Sequence, residues 1–351
     1  PLVGVRFSHP LFKKESGITE TVVSDFFVLV QYKSRRAHME HILKLTVEKQ
    51  YLPATAGKIL QLQAGLTKKQ ISRAKFHPEG ILCNGVQCRV TKSVSAGDIL
   101  SVCLEEPSQG SSHLKLPSAG LSPIRILYED QDLLAVDKPS GIVTHPSGIH
   151  YRDTLSNQVY WYLRQKGEAV TVRSMGRLDR ETSGIVVFAK NKTCAARLQL
   201  QQNTGEYRKE YLAVLSGSFP KNSRHTISLP IGPDPDDPRK MKCFSQQDKL
   251  TPDTRPAVTH FQVLRSTSKW SLVSLFLETG RTHQIRIHMK TIGHPLMGDT
   301  LYGDAFSYDA PCFCRAALHA WHVSFFHPFK NKEIFIEAPL PEDFSFLEKM
   351  L

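Results

Sequence analysis

Apolar positions along this chain fall in short runs of about five, alternating or continuous, with turn-forming clusters between them. Ile185-Val186-Val187-Phe188-Ala189 is β-branched and continuous, the pattern of a strand buried on both faces. Ile124 to Tyr128 and Leu133 to Val136 flank the polar stretch Glu129-Asp130-Gln131-Asp132 and predict a hairpin. Tyr207 to Leu215 alternates as a strand does. Helical spacing appears at Ala195, Leu198 and Gln202, which predicts a helix over 191–202. It appears again at Ile285, Met289 and Ile292, predicting a helix over 282–292 with Thr282 as N-cap and Gly293 as its stop. Arg286 then lies in the first turn, off the apolar stripe.

The front of the chain has a different rhythm. Thr67-Lys68-Lys69-Gln70 has the spacing of a capping box. The helix it opens sets Ile71 and Ala74 on one side and Lys69 with Arg73 on another, and ends near His77-Pro78-Glu79-Gly80. Two short strands around Asn84-Gly85 follow, the strongest short hairpin signal, then a turn and a strand over Val94 to Leu100. These define a unit over 39–104. Residues 105–122 are rich in Ser, Gly and Pro and predict a flexible linker. From 123 to 351 the pattern is strand-rich α+β. Residues 1–38 have no clear periodicity, and no methionine precedes Met39. They read as an extension upstream of the natural start rather than a cleaved targeting peptide, which Glu15, Glu20 and Asp25 argue against.

Charge narrows the partners. Lys and Arg number 45 against 33 Asp and Glu, a formal net charge of +12, which favours a polyanion. No apolar run approaches the roughly 20 residues of a membrane span, so nucleic acid is the better reading than a membrane. Seven cysteines at irregular spacing fit a reduced, cytoplasmic protein better than a disulfide framework.

The chemistry concentrates in Gly176-Arg177-Leu178-Asp179-Arg180-Glu181-Thr182-Ser183-Gly184, directly before the most apolar strand. A carboxylate between two guanidinium groups is suited to act charged, as a nucleophile or electrostatic stabiliser. A structural Asp–Arg bridge across a turn is the plainer alternative. This segment resembles the H-R-L-D-x-x-T-S-G signature of the RluA-type pseudouridine synthases, with Gly176 where the His usually stands. Three further blocks, in the family's order, resemble its other motifs: Asp137-Lys138-Pro139-Ser140-Gly141, Lys209-Glu210-Tyr211-Leu212-Ala213, and Glu278 to His288 continuing through Gly298-Asp299 to Tyr302-Gly303. The helix–hairpin unit resembles the small αL module named after ribosomal protein S-four.

The resemblance implies a catalytic domain over 123–351 built on a mixed or antiparallel sheet, preceded by an αL-type RNA-binding domain. It implies isomerisation of uridine to pseudouridine in structured ribosomal or transfer RNA, by a monomer without cofactor or metal. Asp179 would be the reacting carboxylate, Arg286 the cation that orients it, and Tyr211 the ring supporting a base drawn out of its stack. Arg177, Arg180, Arg281 and His283 would contact the RNA near the site, and Lys68, Lys69, Arg73 and Lys75 its phosphates.

Three rival readings stand beside this one. A non-catalytic RNA-binding or ribosome-assembly factor would need only the front module. An RNA methyltransferase would need a Gly-rich cofactor loop after a strand, which is missing. A metal site could use Cys312-x-Cys314 with His319 and His322, although Arg315 to Ala320 with His327-Pro328 resembles a family segment whose histidines belong to the scaffold.

Overall fold

The computed structural model describes residues 42–104 (except 78), 114–115, 117, 123–168, 171–245, 248, 251–303 and 313–347 (except 331). The expected extension over 1–38 lies outside these residues, as does most of the expected linker.

The front of the chain folds as β1 (Ile42–Thr46), β2 (Ala54–Thr55), α1 (Ala56–Leu62), α2 (Lys68–Ala74), β3 (Ile81–Cys83), β4 (Val86–Gln87), β5 (Ser93–Val94) and β6 (Ile99–Cys103). The capping box forms as its spacing predicts: Thr67 Oγ1 accepts from Gln70 N while the Gln70 side chain reaches back to Thr67 N. Asn84 and Gly85 take positive φ angles of 52° and 79°, the conformation a two-residue hairpin turn requires. A four-stranded sheet in the order β1-β6-β3-β4 packs on both helices through Ile59, Leu60, Ile71, Leu100 and Val102.

The remainder continues with β7 (Arg125–Glu129), β8 (Leu133–Lys138), α3 (Leu155–Gln165), β9 (Arg173–Ser174), β10 (Ser183–Ala189), α4 (Lys192–Thr204), β11 (Arg208–Ser216) and β12 (Arg224–Ser228). Then come β13 (Ile231–Pro233), β14 (Met241–Cys243), β15 (Val258–Ser266), β16 (Trp270–Leu277), α5 (Gln284–Thr291), β17 (Leu318–Phe326) and β18 (Glu333–Glu337). One ten-stranded sheet runs β12-β15-β16-β11-β17-β10-β8-β7, with β18 on β17 and β9 on β10. All its pairings are antiparallel except β10 with β17, so the sheet is mixed.

β10 is buried along its whole length because both faces of the sheet are covered. Val186 and Phe188 enter one core with Val136, Val159 and Leu163, under α3. Ile185, Val187 and Ala189 enter the opposite core with Cys194 and Leu198 of α4. At its start, Gly184 has φ +108°, and a Cβ there would fall 2.2 Å from the Ala320 carbonyl oxygen. Only glycine lets β10 and β17 approach there. α4 also meets the front module, where Gln70 Nε2 donates to Thr193 Oγ1 at 2.5 Å and Phe329 packs against the module's core. Among the described residues no helix is long and apolar enough to cross a membrane.

Candidate active site

The signature loop leaves β9 and delivers Asp179 just before β10, held by the loop that follows β8. Lys138, fully buried, donates from Nζ to the carbonyls of Pro139 (2.9 Å), Ile142 (2.8 Å) and Arg180 (3.2 Å). Burial pulls this amine down to about 7, against the favourable field of Asp179. Thr144 adds a reciprocal pair with the Leu178 amide and carbonyl, and Gly141 N donates to Arg180 O at 2.8 Å. The Asp-Lys-Pro-Ser-Gly block is therefore the clamp of the Asp179 loop, and the buried Leu178 anchors it from inside.

The flanking guanidinium groups do not pair with Asp179. Arg180 Nε donates to the Gly141 carbonyl at 3.0 Å, and Arg177 Nη2 donates to the Thr282 hydroxyl. Neighbours in a tight loop diverge, so adjacency in sequence does not bring these charges together. Among the described residues no side chain forms a hydrogen bond or ion pair with the Asp179 carboxylate, which is half-buried in a cleft of about 540 Å³. Arg180 opens instead on a neighbouring cleft of about 850 Å³, lined by acids and bases alike, among them the paired Arg315 and Asp343.

The 540 Å³ cleft also holds Tyr211 from β11, Arg286 from α5, and Arg177, Lys209 and Arg281. Tyr211 is buried on the β11 edge of the large core, and burial followed by the charge of Asp179 pushes its phenol up, so it is neutral at ordinary pH. Burial brings the Lys209 amine down to about 8. Arg281 is exposed at the rim, its Nε donating to Pro256 O at 3.0 Å. His283 is not in the lining: its Nδ1 lies 2.9 Å from the Tyr302 hydroxyl, and burial lowers its pKa.

α5 starts one residue later than its expected cap places it. Thr282 is not its cap; His283 is, in the left-handed region at φ 56° and without a side-chain cap bond. The Gln284 side chain takes over that work, accepting from Arg281 N and Thr279 Oγ1 and donating to Val258 O. Nor is Arg286 on an outward face, for Gln284 through Met289 are all buried. Its charge is met by Asp299, with Nε and Nη2 each 2.7 Å from a carboxylate oxygen, and by Glu181 at 3.8 Å. Burial opposes both charges, but the pairing outweighs it, raising Arg286 and lowering Asp299. Asp299 further accepts from Leu301 N and Tyr302 N. The motifs alone assign no task to Asp299 or Lys138, although both stand inside them; each takes its meaning from a tertiary partner that spacing does not reveal.

Lys68, Lys69, Arg73 and Lys75 are all exposed on the front module, far along the chain from the cleft residues. None has an ion-pair partner among the described residues, and Lys75 stands 4.6 Å from the exposed Phe76 ring. Cys312 lies outside the described residues, and Cys314 is exposed. His319 bonds Ser183 Oγ at 2.9 Å and His322 bonds Glu210 at 3.0 Å, which ties both histidines to the scaffold.

Known proteins resemble this chain over most of its length. A family described as RNA pseudouridylate synthase matches residues 132–291. YjbO of Bacillus subtilis (strain 168), named an uncharacterized RNA pseudouridine synthase, is 36% identical over 287 residues, 82% of this chain and 96% of its own. Ribosomal large subunit pseudouridine synthase D of Nitrosomonas europaea is 35% identical over 263 residues, 73% of this chain and 72% of its own. Among solved structures, Human RNA Pseudouridylate Synthase Domain Containing 1 aligns with a TM-score of 0.50 at 29% identity, over 65% of this chain and 87% of that one.

Proposed function

The chain belongs to the RluA-type RNA pseudouridine synthases, enzymes that isomerise uridine in RNA, and from that premise we propose which residues act and on what. Asp179 is the reacting carboxylate. The bond from ribose to nitrogen 1 of uracil breaks and is remade to carbon 5, which gives up a proton while nitrogen 1 gains one. The target base leaves its stack to enter the cleft, at a cost of a few kcal/mol in a duplex, so loops and ends of structured RNA are the natural substrates. Arg286 supplies a fixed positive charge beside Asp179, and the Tyr211 ring supports the base.

The observation that carries this reading is convergence. Asp179, Tyr211 and Arg286 come from three separated segments and line one cleft, where the carboxylate has no protein partner among the described residues. The exposed cations of α2 and its end provide phosphate contacts. Relatives named for the large ribosomal subunit make its RNA the first substrate to try. Asp179→Asn, nearly isosteric and uncharged, is expected to keep RNA affinity and lose all tritium release from RNA labelled at uracil carbon 5. Turnover equal to the parent's would reduce Asp179 to a loop-stabilising residue.

A further inference from the structure

The cleft that holds Asp179 is lined by four cations, Arg177, Lys209, Arg281 and Arg286, and by three neutral carboxamides that form its α4 wall. Gln199, Gln202 and Asn203 stand there at i, i+3 and i+4 on one face of the helix. Gly176 of the signature loop lines the cleft too; it is exposed, and nothing beyond its chain neighbours lies within 4 Å of the point where a side chain would begin. The Gln202 side chain is half-buried and has no hydrogen bond among the described residues. Gln199 and Asn203 are exposed and, among the described residues, their side chains hydrogen-bond only each other, at a long 3.4 Å. Tyr207 lines the same space, 8% exposed, and its hydroxyl is buried without a partner among the described residues. A buried donor left unpaired is costly, and native proteins seldom keep one without a use.

Neutral carboxamides carry a donor and an acceptor side by side. Carboxamides can bond a phosphate or sugar, but a base edge is the partner that engages donor and acceptor together. We infer that the α4 wall is a second subsite, which takes a nucleobase flanking the target uridine and reads its edge, with adenine the base that a Gln or Asn amide matches in bidentate fashion. The inference rests on the proposed function, because the flanking base arrives only with an RNA whose uridine enters beside Asp179. Gln199, Gln202 and Asn203 are specificity-determining residues in this scheme and take no part in bond making.

The test uses the full chain and transcripts of ribosomal RNA in which the isomerised uridines are first mapped, then rebuilt with each of the four bases on either side. The parent is expected to favour adenine on one side by about 5- to 150-fold in kcat/KM, the range one bidentate base contact supports. Gln199→Leu/Gln202→Leu/Asn203→Leu, which keeps helix propensity, should bring that preference to about twofold or less while the saturating rate changes little. Gln202→Glu should move the preference toward cytosine, whose amino group a carboxylate accepts. A parent that isomerises uridine without favouring adenine, or a triple variant that keeps the parent's preference, overturns the subsite alone. A parent that isomerises no uridine overturns the proposed function and the subsite with it.

Discussion

Arg286 and Asp299 face each other through two hydrogen bonds of 2.7 Å, and the Asp299 side chain has no exposure at all. A guanidinium held in this fork cannot swing to meet a substrate, so its field at the cleft is fixed before RNA arrives. Arg286→Met should lower single-turnover isomerisation by about 10²- to 10³-fold. Asp299→Asn leaves the arginine in place but loosens it, and a fall of about tenfold is expected with RNA affinity unchanged. Both variants should also melt earlier, since breaking a buried pair costs about 3–5 kcal/mol. The decisive comparison is Arg286→Met/Asp299→Leu, which removes both charges: melting should recover and turnover should not. Recovery of both would make the pair purely structural.

Tyr211 offers a ring and a neutral phenol, and one substitution separates them. Tyr211→Phe keeps the ring, so RNA affinity should persist, while a proton-transfer role in the chemical step would cost about 10²- to 10⁴-fold in single turnover. Tyr211→Ala should lose affinity for RNA as well. A Phe variant with the parent's rate would leave stacking as the residue's whole contribution.

The front module presents Lys68, Lys69, Arg73 and Lys75 to solvent while Ile71 and Ala74 are buried. Changing all four to Gln should raise KM and leave the saturating rate nearly as it was. For every phosphate no longer neutralised, the log–log salt dependence of RNA binding should flatten by about 0.7–0.9. Unchanged affinity with an unchanged salt slope would mean these cations only solvate the helix.

A pH-dependent contribution to stability lies away from the cleft. Burial pushes the Glu129 carboxyl up, but hydrogen bonds from Lys166, Lys190 and Tyr162 outweigh it and hold the group at about 2. A depressed folded pKa means that its stabilisation is complete above the ordinary value of 4.5 and fades as pH falls through about 2. Glu129→Gln should therefore lower Tm by about 2–4 °C at neutral pH for each kcal/mol of stability removed. The gap between parent and variant should close on acidification from about pH 4.5 toward 2. A gap that stays constant would show that the charge on Glu129 contributes nothing.

Local signals carried much of this fold. The β-branched run 185–189 reads as a covered strand and is one, and Thr67 with Gln70 closed their capping box within a single turn. Errors arose where a distant partner overrode a local rule. Thr282 looks like an N-cap in isolation, but Gln284 reaches Val258 on β15 and starts the helix later. Arg177 and Arg180 flank Asp179 in the sequence and turn away to Thr282 and Gly141. Asp299 gained its meaning chiefly from Arg286, thirteen residues before it on α5. Motif order pointed to the convergence at the cleft; which charges pair there is a tertiary property that one-dimensional spacing does not encode.

β10 and β11 are not neighbours, because β17 lies between them and pairs with both. Two strand spacings, about 10 Å in all, thus separate the backbone after Asp179 from the backbone of Tyr211. The strand that sets this gap is translated more than a hundred residues after either of its neighbours begins. On the ribosome, the N-terminal parts of the site emerge first and wait, and the long loop closures that join them come late and slowly. A nascent chain therefore holds the segments of Asp179 and Tyr211 apart until residues 318–326 have cleared the exit tunnel, so the cleft takes shape only as the last strand between them arrives.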